Sequence, residues 1–314
     1  LPQLSGGLFL TDGGLETTLI FHDGVELPHF ASFTLLDSAK GVARLSDYYR
    51  RYAEIALAAE LGFVFEGASW RANRDWGAKL GYSPAALADV NRRSIALMAE
   101  LRNELETPTS PMVISGNIGP RGDGYDPGRK MSAAAAEAYH AEQIGTFAET
   151  EADMVAAFTM NYVEEAIGAA RAAAAANIPA AIAFTVETDG RLPTGQPLKD
   201  AVEEVDEATG GAPAYFMINC AHPTHFGSVL ASGEPWARRI RGIRANASRR
   251  SHAELDGATD LDAGDPAELG RDYRELMRKL PGINVVGGCC GTDHRHVEAI
   301  CRSIAPDHHH AHAA

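Results

Sequence analysis

The chain has 314 residues with 45% hydrophobic side chains, enough to bury a sizeable core in one large domain or two ordinary ones. With 28 basic and 42 acidic residues its formal charge is −14, which argues against a nucleic-acid surface or an anionic membrane surface. Four cysteines in this length do not make a disulfide scaffold and fit a reducing, cytoplasmic setting in which thiols stay free. No run of about 18 apolar residues is present, so no transmembrane span is expected. Leu1-Pro2-Gln3-Leu4 lacks a basic region leading into an apolar core, so no secretory signal is expected.

Short apolar runs alternate with Ala-rich amphipathic stretches. Strands are predicted over 8–11, 63–65, 112–115, 154–157, 180–185, 215–219, 240–245 and 283–286. Helices are predicted over 46–61, 84–105, 133–151, 163–176, 198–209, 223–231, 266–280 and 293–304. Ser46 and Asp293 read as N-caps, Gly62 and Gly210 as helix stops, and Pro84 and Pro266 as first-turn prolines. Two stretches, 119–130 and 246–264, read as long loops.

Eight strand–helix units predict an α/β fold, a single (β/α)8 TIM barrel over 1–306, followed by a disordered His-rich tail over 307–314. The rival is an open doubly wound sheet, which would carry a Gly-rich phosphate loop after its first strand. Asp12-Gly13-Gly14-Leu15 is not that fingerprint. Active sites of closed barrels lie at the C-terminal strand ends. Asp12, Glu66, Asn117, Cys220 and the Cys289-Cys290 pair all follow strand ends, so they are expected around one mouth.

Gly287-Gly288-Cys289-Cys290-Gly291-Thr292 places two adjacent thiols in a flexible backbone, and Cys220 closes the apolar run before it in a matching context. Three thiolates past strand ends suit a borderline-soft metal, zinc, with a fourth position open. Such an electron-rich site favours alkylation of a bound sulfur over activation of water. The bland reading, buried small hydrophobes, fits Cys301 on its helix face. A redox pair at Cys289-Cys290 lacks the usual two-residue spacer. His222 and His225 are candidates for additional ligands or for a helix-start surface role.

At these residues the chain resembles the zinc-dependent homocysteine S-methyltransferase family, over nearly its whole length. The resemblance rests on Asp12-Gly13-Gly14-Leu15-Glu16-Thr17, Gly116-Asn117-Ile118-Gly119-Pro120, Ala183-Phe184-Thr185, Asn219-Cys220 and the Gly287–Thr292 segment. It implies that Cys220, Cys289 and Cys290 hold Zn2+ and that homocysteine sulfur completes the tetrahedron. It implies that Asp12 meets the acceptor's ammonium group, with backbone N–H groups around Gly13 and Gly14 near its carboxylate. Methyl would come from S-methylmethionine, S-adenosylmethionine, betaine or a related onium donor, giving methionine.

The chain departs from the family pattern after the fourth strand. A glutamate expected there falls on Thr159 or Asn161. After the second strand a Thr-rich segment is replaced by Glu66-Gly67-Ala68-Ser69-Trp70. Glu66 is a candidate replacement carboxylate, and Trp70 a candidate aromatic wall for a cationic donor. The expected acceptor-side residues are therefore Asp12, Gly13, Gly14, Glu66, Asn117 and Asn161. Alternative readings are S-methylation of another small thiol or selenol, a barrel lyase or hydrolase with another metal site, and a non-catalytic zinc- or thiol-binding barrel.

Overall fold

In a computed structural model, which describes residues 1–230 and 233–311, eight parallel strands close into a ring in strict sequence order. They are β1 (Phe9–Leu10), β2 (Gly62–Glu66), β3 (Met112–Ile118), β4 (Met154–Met160), β5 (Ala180–Phe184), β6 (Tyr215–Asn219), β7 (Ile240–Ala245) and β8 (Val285–Gly288). The ring shuts where β1 pairs with β8, through Phe9↔Val285 and Leu10↔Val286. The (β/α)8 expectation holds, and the open sheet does not.

Alternation with period two sets the two cores. Phe9, Val64, Val113, Met154, Ala156, Ala181, Ala183, Met217 and Val285 fill the barrel interior. Their neighbours, such as Leu10, Phe63, Phe65, Ile182 and Phe216, face the helices. The barrel floor is sealed by the N-terminal turn Pro2–Ser5. Gln3 Nε2 donates to Tyr215 Oη at 3.4 Å, and Asn284 Nδ2 donates to the carbonyls of Gln3 and Gly7 at 2.6 and 2.7 Å. That role for Asn284 explains why β8 starts at Val285 instead of at 283.

The outer helices begin where side chains satisfy their free N–H groups. Ser83, Ser132 and Asp265 cap Pro84–Leu105, Ala133–Ala148 and Pro266–Lys279. The second-strand approach differs from expectation. Helix Ala39–Ala58 starts seven residues before 46, because Ser38 and not Ser46 accepts the capping bond, from Gly41 N. Gly62 opens β2 and is not the helix stop; Glu60, at φ 53°, makes that turn. Gly210 is a helix stop, with φ 64°. The 246–264 loop carries a short helix, His252–Asp256, whose Ser251 and Glu254 form a capping box. The last helix is His294–Ala311; of the expected tail, residues 312–314 lie outside the described residues.

Candidate active site

Cys220 follows β6 in a left-handed conformation, φ 54°, which a non-glycine residue adopts only when its surroundings hold it there. Its N–H donates to Arg244 O at 3.1 Å, and its carbonyl accepts from His252 Nε2 at 2.7 Å and Thr185 Oγ1 at 3.3 Å. Cys289 and Cys290 follow β8. Cys289 N donates to Ala245 O at 2.8 Å, Cys290 O accepts from Ala247 N at 3.1 Å, and Thr292 Oγ1 donates to Cys289 O at 2.7 Å. Gly291, at φ 79°, turns the chain away behind them.

The three sulfur atoms lie within 4.8 Å of one another. The expectation of three free thiolates meets a difference here: Cys220 and Cys289 are joined by a disulfide, with Cα atoms 5.4 Å apart, while Cys290 and Cys301 are free. The bond joins the ends of two strands that flank β7; their meeting was expected from the strand ends, the disulfide was not. Burial pushes the Cys290 thiol up to about 11, whereas a divalent cation against the sulfur acts in the opposite sense.

Donor chemistry fits zinc, and so does the spacing of one sulfur pair, while the disulfide pair must first be reduced and separate. A tetrahedral ion with Zn–S bonds of about 2.3 Å sets its sulfurs roughly 3.8 Å apart. Cys220 Sγ and Cys290 Sγ are 3.9 Å apart. Metal and disulfide exclude each other at Cys220 and Cys289, because only reduced thiolates ligate. Neither histidine candidate joins the group. His222 Nδ1 meets Thr224 Oγ1 at 2.9 Å, and burial pushes this imidazole down to about 4; His225 Nε2 meets Arg249 O at 2.9 Å. Cys301 is buried in the last helix.

The sulfurs open into a cavity of about 370 Å³ whose wall includes Asp12, Gly13, Gly14, Glu66, Asn117, Thr159 and Arg244. Asp12 is 2% exposed, with an ion pair at one carboxylate oxygen and a hydrogen bond at the other. Oδ1 lies 2.8 Å from Arg244 Nη2, and Oδ2 accepts from Tyr48 Oη at 2.9 Å. Burial holds the Asp12 carboxyl above the usual carboxylate range despite the opposing pull of Arg244 and Tyr48. Gly14 N–H is likewise taken, by Thr292 O at 3.1 Å and Thr292 Oγ1 at 3.2 Å. A Cβ at Gly14 would stand 2.5 Å from the Cys289 carbonyl oxygen, so the absence of a side chain lets the β1 loop lie against the cysteine loop.

Asn161 is not on this cavity wall. Its Nδ2 donates to the carbonyls of Asp123 and Gly124 at 2.9 and 3.1 Å, which tethers the loop after β3. Thr159, the other position for the expected glutamate, does line the cavity, in a left-handed conformation (φ 60°) locked by Asn219: Thr159 N donates to Asn219 Oδ1 at 2.8 Å, and Asn219 Nδ2 donates to Thr159 Oγ1 at 2.9 Å. Trp70 also lines the cavity, and the Arg71 guanidinium covers one face of its ring at 4.1 Å.

Sequence reasoning missed four residues. Arg244, buried on β7, also donates through Nε to Gly288 O at 2.9 Å and through Nη2 to Gly13 O at 2.9 Å. Its signal was a charged residue one position before the end of a parallel strand. Tyr48 comes from a helix face that reads as ordinary core. Tyr125, from the β3 loop, brings its hydroxyl to 3.8 Å from Cys290 Sγ, and its ring stacks on His252 at 3.9 Å. His252 in turn meets Glu187 Oε1 at 3.1 Å. Nothing in the two loop sequences announces that they meet.

Comparisons with known proteins agree with this architecture. The protein of Zea mays described as homocysteine S-methyltransferase 4 is 26% identical over 326 aligned residues, covering 96% of this chain and 90% of that one. The structure of the homocysteine methyltransferase MmuM from Escherichia coli in its oxidized form superposes with a TM-score of 0.76 at 20% identity, covering 93% of this chain and 94% of that one. Its metallated form gives 0.74 at 18% identity, covering 96% and 98%. At those identities the two structures speak for the fold. The family model described as homocysteine S-methyltransferase matches residues 9–304, so the chain belongs to that family of methyltransferases.

Proposed function

We propose that the protein transfers a methyl group from a sulfonium or quaternary ammonium donor to the thiol of homocysteine, giving methionine, and that the reaction depends on zinc. The observation that carries this reading is the cluster of Cys220, Cys289 and Cys290 sulfurs within 4.8 Å of one another at a barrel mouth. Cys220, Cys289 and Cys290 would hold the ion once the disulfide is reduced. When bound, zinc supplies a positive charge that lowers the pKa of a fourth, substrate sulfur beside it.

The rest of the work falls to the cavity. The acceptor thiol releases its proton to solvent, its sulfur lone pair forms the new S–C bond, and the donor's C–S or C–N bond breaks with its electrons left on the donor. Alignment of two bound reactants is the main contribution that a protein makes to such a displacement. Asp123, Asp256, Asp260 and Asp262 line the cavity, and a wall with this excess of carboxylates favours a cationic donor over an anionic one. The pairing of free thiols with zinc also favours a reducing, cytoplasmic setting.

A second reading, a zinc- or thiol-binding barrel without turnover, has one observation in its favour: the Tyr125 hydroxyl stands 3.8 Å from Cys290 Sγ, where it would close the site. The deciding experiment incubates reduced, zinc-loaded protein with homocysteine and each of S-methylmethionine, S-adenosylmethionine and betaine, and reads methionine by mass. The expected result is methionine from at least one donor, and its loss together with the zinc in Cys289→Ala and Cys290→Ala. Full activity of a metal-free variant sinks the zinc mechanism; no product from any onium donor favours the second reading.

A further inference from the structure

Asp12 was the carboxylate expected to receive the acceptor's ammonium group, yet the fold has already spent it. Its two oxygens face Arg244 at 2.8 Å and Tyr48 at 2.9 Å, and the same guanidinium is bonded to the Gly13 and Gly288 carbonyls. A substrate cation could displace Arg244 only by leaving a buried guanidinium without its counter-charge, which is the costly way to break a buried pair.

A second carboxylate on the same cavity lacks such an ion pair at one of its oxygens. Glu66 ends β2, is 3% exposed and lines the cavity. Its Oε2 is buried with no hydrogen-bond partner. Its backbone is fixed: Tyr49 Oη donates to Glu66 O at 2.6 Å, and Gly67 N donates to Ser115 O at 2.9 Å. A Cβ on Gly67 would stand 2.8 Å from Ser94 Oγ, so this strand end has little room to shift. Buried polar atoms in folded proteins are rarely left unpaired, so an unpaired oxygen on a residue that lines a cavity points to a ligand donor, even though Ser115 contacts the same carboxyl group. A trimethylammonium or a sulfonium carries no N–H; a primary ammonium carries three.

Resting on the acceptor reading above, we propose that Glu66 is the specificity-determining carboxylate of the cavity, receiving the primary ammonium group of the acceptor, and that the Asp12–Arg244 pair is a structural clamp. The burial that pushes the Glu66 carboxyl up to about 7 is consistent with a group poised to gain a cationic partner. S-Methylmethionine carries a primary ammonium as well, so the test separates acceptor from donor.

Wild-type protein and Glu66→Gln are compared with two acceptors, homocysteine and 4-sulfanylbutanoate, which is the same chain without the amine. The donor is one without an amine, such as betaine or trimethylsulfonium. In Glu66→Gln, kcat/KM for homocysteine should fall roughly 10- to 100-fold, mostly through KM, as loss of a charge-assisted hydrogen bond implies. The value for 4-sulfanylbutanoate should change less than about twofold. Zinc content should match wild type, and so should the circular-dichroism melt at pH 5, where both side chains are uncharged. Glu66→Asp, which keeps the charge, should recover part of the preference for homocysteine.

Equal losses for both acceptors, or no loss for either, overturn the assignment. So does a rise in KM confined to S-methylmethionine as donor, which would place that amine at Glu66. Calorimetric binding of the two thiols to zinc-loaded protein runs in parallel and needs no turnover. If wild type binds homocysteine but produces no methionine, methyl transfer falls, and the Glu66 assignment is decided by whether Glu66→Gln loses the preference in binding. If wild type binds neither thiol, both fall.

Discussion

At the ends of β6 and β8 the functional atoms are sulfurs on adjacent or nearly adjacent backbone, and the loops around them are held by main-chain bonds such as Cys289 N to Ala245 O and Ala247 N to Cys290 O. At the ends of β1 and β2 the functional atoms are carboxylates whose meaning depends on which charged side chain reaches them from elsewhere. Two of these, Asp12 and Glu66, line one cavity with near-equal burial, yet Asp12 is held in an ion pair with Arg244 while Glu66 Oε2 has no hydrogen-bond partner. A cluster of candidate metal ligands is legible from residue type and from its place at strand ends, because ligands must be particular atoms. A charge-recognition wall is not, because a carboxylate binds substrate or holds the fold according to its neighbours.

The sharpest break between the two sides is redox. If the Cys220–Cys289 bond governs metal entry, oxidized protein should bind less than about 0.1 zinc per chain and reduced protein about one, read by elemental analysis after desalting. Equal zinc in both states would uncouple the sulfur side from its disulfide. On the carboxylate side the largest effect should come from Arg244→Met, which strands buried Asp12 with Tyr48 alone. A loss of about 3–5 kcal/mol in urea unfolding is expected, and Arg244→Met combined with Asp12→Asn should regain part of it. A loss under about 1 kcal/mol would mean that Asp12 does not depend on its clamp.

The smallest effect concerns Glu66 and pH. Its carboxyl is raised from 4.5 to about 7 by burial, against the pull of Arg244 and the Ser115 hydroxyl. Between those values the folded protein holds a proton that the unfolded chain has released. Stability therefore falls as pH rises from about 4.5 to 7 and is level above that. Glu66→Gln should flatten this part of the profile by up to about 3 kcal/mol, measured as unfolding free energy at pH 5 and pH 8. An unchanged slope would show that Glu66 stays ionised in the fold.

The alternating strands and amphipathic helices made the barrel readable, because period and length suffice for a ring built from sequential neighbours. The boundaries that moved have local causes: Ser38 in place of Ser46 as the cap, and Asn284 drawn down to the floor by Gln3 and Gly7. Cys220, Cys289 and Cys290 were legible as a group for the reasons given above. Arg244 was not, since its partner Asp12 lies 232 residues away in sequence and no local pattern links them. The same holds for Tyr125 on His252, a contact between two irregular loops.

The ladder that shuts the ring, β1 with β8, is only two residue pairs long and joins the first strand to the last. A nascent chain therefore cannot form it until β8 has been made, and contacts of such separation carry a large loop-closure cost. Cys289 and Cys290 sit just past that last strand, and Arg244 spans the seam from Gly13 to Gly288. Under the proposed function, an ion held by all three thiols would therefore bind only after the last strand has joined the barrel.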